Sequence, residues 1–142
     1  MRLMLDVEGG ETQGSLPNDG AGLCAFVSFA VSRGFGATHP LIALADRLHD
    51  QHRVRMGPLT TFYDGEVEDP EDREKLELAW QEAAGLGESL GALVAALEGD
   101  EQARTLARRG GAEELGIEAG ALIQQVLVAQ AAGQRVRMVY AL

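Results

Sequence analysis

The sequence predicts a mainly helical fold, α+β with minor short strands, built around one long helix at about residues 70–98. Three observations carry this expectation. First, apolar residues recur at seven-residue spacing through that stretch. Leu76, Ala83, Leu90 and Leu97 form one series, and Ala79, Leu86 and Leu93 form the other. That is an a/d pattern of about three heptads. Second, aromatics make up 5% of the chain while Ala, Leu and Gly abound, which favours closely packed helices over a β-sandwich. Third, Pro and Gly punctuate the chain where helices should start and stop: Pro40 and Pro70 at first turns, Gly99 and Gly110-Gly111 at ends. At 142 residues, residues 1–142 are expected to form a single domain with a core of its own.

Each element follows in order. Arg2–Val7 reads as a short strand. Residues 9–22 hold five glycines, Pro17 and the turn residues Asn18-Asp19-Gly20, and read as loop. Residues 23–32 are apolar on every face and read as a buried helix or a buried strand, with length, Ala25 and Ala30 favouring the helix. Pro40 opens the next helix, with Thr38 or His39 as its cap and Leu41, Leu44, Ala45 and Leu48 on one face. It should end near His52. Arg53-Val54-Arg55-Met56 alternates as a short strand would. Asp64-Gly65 predicts a hairpin-type turn within residues 60–67. Asp69 caps the long helix, with acids in its first turn. Asp100 caps a short helix to about Arg109. Residues 112–132 read as a further helix, with Leu115, Ala119, Leu122, Ile123 and Val126 inward and Gly116 or Gly120 as possible breaks. Residues 134–142 read as a final strand. The tetrapeptide Arg-Val-Arg-Met occurs twice, at 53–56 and 135–138.

Charge narrows the function classes. Twenty-two acids against twelve bases give a net charge of −10, which repels nucleic acid and anionic membrane surfaces. Cys24 is the single cysteine, so no internal disulfide is expected and the chain needs no oxidising compartment. The most apolar run has nine residues, Leu23 to Val31, too few to span a bilayer. The acidic start, with Asp6 and Glu8, does not resemble a signal peptide. A cytoplasmic setting is expected.

Five constellations bear on chemistry. Gly87-Glu88-Ser89-Leu90-Gly91 matches the string of serine hydrolases, but that chemistry needs a strained turn between strand and helix. Here the heptad stripe runs through the string, which makes Ser89 a solvent-facing helical serine. Gly87 and Gly91 instead form a smooth row where another backbone can approach. Asp46, His49 and His52 recur every three residues and offer metal-ligand chemistry. They drift around the helix, so His39, Glu8 or Cys24 would have to complete a site. Residues 33–40, Arg-Gly-Phe-Gly-Ala-Thr-His-Pro, lead into a helix N-terminus where free amides attract anions. The loop lacks a P-loop lysine and a third fingerprint glycine. Seven acids between Asp64 and Glu74 lack the central glycine of a calcium loop. Cys24, in apolar company, is expected to be an inert thiol.

No catalytic set or cofactor site follows from these residues. The expectation is a non-enzymatic assembly, adaptor or regulatory protein acting through helix-mediated protein contact. Its partner is a second copy or another protein. Leu76, Leu86, Gly87, Leu90, Gly91 and Leu93 are the expected interface. The alternative is a small enzyme or a ligand- or metal-binding protein that uses the 33–40 loop with His49 and His52.

Overall fold

The structure, a computed structural model, describes residues 2–33 and 39–141. Among them are six α-helices and three strands: β1 (Arg2–Val7), α1 (Ala21–Ala30), α2 (Pro40–His52), β2 (Phe62–Tyr63), α3 (Pro70–Leu78), α4 (Ala83–Gly99), α5 (Glu101–Arg109), α6 (Leu115–Ala131) and β3 (Val136–Ala141). The mainly helical class with minor strands is thus the observed one. β3 lies between the other two strands. It pairs antiparallel with β1, Met138 opposite Leu5, and parallel with β2, Met138 opposite Phe62. Period-two alternation points Leu3, Leu5, Val136 and Met138 inward, where all four are fully buried. The helices cover that face, and one continuous apolar core joins sheet and helices.

The helix expected across residues 70–98 is two helices. α3 stops at Leu78 and α4 starts at Ala83. The cause is β3. The Gln81 amide donates to the Val136 carbonyl (2.8 Å) and the Val136 amide to the Gln81 carbonyl (2.9 Å), a bridge that a helical Gln81 could not make. The Gln81 side chain donates to the carbonyls of Pro58 and Thr61. Next to it, the Arg137 guanidinium lies 4.0 Å over the Trp80 ring, a cation–π contact. α3 itself contributes no buried residue.

α4 carries the apolar stripe into the core of its own chain. A Cβ on Gly87 would sit 3.4 Å from Val126, and one on Gly116 3.7 Å from Leu97, so α4 and α6 run antiparallel. Leu86, Leu90 and Leu93 are fully buried in the common core. They are therefore corrected from interface to core: α6 and its neighbours cover them, and a second copy has no access. Leu76 lies half-buried on α3.

Other expectations shift by a few residues. α1 begins at Ala21, and α6 runs unbroken past Gly116 and Gly120. Arg53–Met56 does not enter the sheet, although Val54 and Met56 do turn inward. Residues 60–67 form no hairpin; β2 pairs with the distant β3, and the Tyr63 hydroxyl donates to the Glu66 carbonyl (3.0 Å). The caps are as expected: His39 Nδ1 accepts from the Leu41 amide, Asp69 from Asp72, and Asp100 from Gln102 and Ala103. No helix among the described residues is long and apolar enough to cross a membrane.

Candidate functional site

The histidine-bearing end of α2 is a joint between helices. Asp100, the N-cap of α5, receives the Arg47 guanidinium through two bonds (2.6 and 3.2 Å) and meets His52 Nε2 at 2.7 Å. The bonds from Arg47 and then His52 hold its carboxyl well below the usual range. His49 turns the other way, its Nδ1 2.8 Å from Asp50. The structure therefore does not gather Asp46, His49 and His52 into a ligand set. Among the described residues no three His, Cys, Asp or Glu side chains stand together to hold a metal ion.

Two further candidates lose their chemistry to burial. Ser89 is buried rather than solvent-facing, and its hydroxyl donates to the Arg55 carbonyl (2.7 Å). It lies in mid-α4, without the strained turn a nucleophile needs. Cys24 is fully buried, and burial pushes its thiol up to about 11, away from the thiolate that reacts.

The 33–40 loop is described only at its ends, since residues 34–38 lie outside the described residues. Arg33 and His49 do come together. With Arg53, Arg55 and Pro58 they line a cleft of about 370 Å³. Arg53 ends α2 in the left-handed region, φ 53°.

Three of the exposed large apolar side chains of the described residues lie on α6. Ile117, Leu127 and Val128 are 62%, 46% and 65% exposed. Gly120, Gln124 and Ala131 share their face at helical spacing. Ala84, Gly91 and Ala95 stand at helical spacing from Gly87, which faces α6, and extend this surface onto α4, where the exposed Glu88 stands among them. Nothing lies within 4 Å of where a Cβ on Gly91 would sit. At one end the surface runs into a cleft of about 540 Å³, with Val94, Leu97, Leu115 and Ile117 on its walls and Arg104 and Glu98 at its edge.

The single charge of this helix is turned inward, which the sequence reading did not assign. Glu118 is fully buried. It accepts from the Leu23 amide (2.9 Å), from the Asn18 side chain (3.4 Å) and from the Gly22 amide. These are donors at the start of α1, so Glu118 caps that helix from a distance. Burial raises its carboxyl above the ordinary value, while the three donors oppose the rise. The available signal was its spacing: three residues from Leu115 and four from Leu122, both core positions.

Neither protein-family models, nor curated proteins, nor solved structures show a match to this chain.

Proposed function

We propose that the chain is a non-enzymatic assembly or adaptor protein that pairs with a second copy of itself through the outer face of α6 and the adjoining side of α4. One observation carries this reading. α6 has 17 residues, and its one charged side chain points into the core, which leaves an outer face of Ile117, Leu127, Val128 and small or amide-bearing residues. Two copies of net charge −10 repel each other over most of their surfaces. The uncharged α6 face is where that repulsion is weakest and where apolar area is gained on contact. A two-fold pairing of like faces is the commonest homo-oligomer geometry. The buried single thiol supports a cytoplasmic setting for this assembly.

Sedimentation equilibrium tests the proposal. The wild-type chain should give a dimer mass, and added salt should strengthen it by screening the charge. Ile117→Glu and Val128→Glu place a carboxylate on the face at exposed positions. Each should weaken the dimer at least about tenfold, or about 1.4 kcal/mol, with the monomer still folded. A monomer at all concentrations, with and without salt, overturns the proposal.

A further inference from the structure

We infer that the cleft between the end of α1 and the turn after α2 binds a small phosphate-bearing ligand through Arg33, Arg53 and Arg55. The repeated tetrapeptide supplies an internal comparison. In both copies the valine and methionine turn inward and the arginines turn to the other side. At 135–138 every guanidinium meets a carboxylate: Arg135 bonds Glu8 (3.0 Å) and Arg137 bonds Asp6 (2.9 Å). At 53–56 neither does. Among the described residues no carboxylate pairs with Arg53, Arg55 or Arg33, although the chain has twenty-two acids. Three guanidiniums lining one cleft repel each other, and an anion seated among them removes that repulsion.

The backbone holds the arginines there. Arg53 occupies the left-handed position after α2, φ 53° and ψ 36°, where glycine is the unstrained residue. Its amide bonds the Leu48 carbonyl. Ser89 reaches out of α4 to fix the Arg55 carbonyl (2.7 Å). Val54 and Met56 anchor the segment in the core between them. The two guanidiniums are thus mounted on a fixed stretch of chain, with Arg33 across the cleft. The Asp50 carboxylate, next to His49 in sequence, is engaged by that imidazole.

The ligand class follows from charge and shape. A cleft of about 370 Å³ admits a small molecule. A phosphomonoester carries roughly two negative charges and three acceptor oxygens, a better match to three forked cations than one carboxylate. This site lies apart from the α6 face, so its test is independent of the dimer.

The probes are inorganic phosphate, phenyl phosphate and succinate, titrated calorimetrically into the wild-type chain in low-salt buffer. Saturable binding of both phosphates is expected, with succinate weaker. Arg53→Gly removes a guanidinium and relieves the left-handed backbone, so it should melt no lower than wild type. It should still weaken phosphate binding at least about tenfold, the weight of one charge-assisted pair. Arg55→Gln should do the same and decides the matter if the glycine variant does not fold. Arg108→Gln, an exposed arginine elsewhere, should bind as wild type does. Absent or unsaturable binding, equal loss in Arg108→Gln, or succinate binding as tightly as phosphate overturns the inference.

Discussion

Glu118 and Asp100 are two carboxylates that cap helices, and their surroundings push them in opposite directions. Glu118, raised above its ordinary 4.5 mainly by burial, favours the folded state most when it holds a proton. Its contribution is fully present below about pH 4.5 and is lost as pH rises through the higher folded value. Glu118→Gln cannot titrate and puts an amide NH₂ against backbone donors. It should cost about 1–3 kcal/mol below about pH 4.5, and the gap should narrow as pH rises in urea titrations. A gap that widens would show that the three donors outweigh burial. Asp100, lowered from its ordinary 3.8 by Arg47 and His52, has the reverse sign. Its contribution holds above that value and fades as pH falls through the lower folded one. Asp100→Asn should therefore melt below wild type at neutral pH, and the two melting temperatures should converge below about pH 4. Asp100 was legible as a helix cap from its place after Gly99. Its second role was not, because Arg47 and His52 lie some fifty residues away in sequence and only the packing of α2 on α5 brings them near.

Among the elements, α4 shows how far periodicity carries. The heptad pattern picked out the inward residues from Ala83 to Leu97, and all of them are buried. It failed at Ala79–Glu82, where no glycine or proline marks a break and the residues are ordinary helix formers. The pairing of Gln81 with β3 overrides that preference, and periodicity within one segment holds no trace of a strand some fifty residues later. The same reasoning explains the misplaced interface: a stripe shows that a face is covered, but the partner that covers it, here α6, is a property of the tertiary fold. Glycines within and just after the helices divide by surroundings. Around Gly91 there is open space, whereas a Cβ on Gly110 would meet Leu41 at 2.5 Å. Gly91→Ala should stabilise by up to about 1 kcal/mol through helix propensity. Gly110→Ala should destabilise by about 1–3 kcal/mol through overpacking against α2. Thermal denaturation of the pair, at concentrations low enough to keep the chain monomeric, checks both signs.

At the scale of the whole molecule, the helical class was legible from composition and spacing, but the sheet order was not. Three short strands carry no local mark of their partners, and two residues of β2 suffice because β3 supplies the register. The arginine cleft was half legible: Arg33 and His49 were in view, while Arg53 and Arg55 read as part of a strand. Met138 ties the assembly together, fully buried and paired across both of its flanks. Met138→Ala should cost about 2–5 kcal/mol. Because one core joins sheet and helices, the loss should appear in a single cooperative unfolding transition. Two separate transitions by fluorescence and circular dichroism would show that the sheet and the helices unfold apart.

The central place of β3 also sets a timetable for synthesis. A chain emerges from the ribosome at about 5–20 residues per second, and β3 is the last of the described elements to appear. Until then β1 and β2 have no strand to pair with, and Gln81 has no reason to leave a helix. The nascent chain is thus free to hold residues 70–98 as one continuous rod, with the heptad stripe unbroken. Arrival of β3 would then bend that rod at Gln81, so the strand that completes the sheet is also the one that divides the long helix.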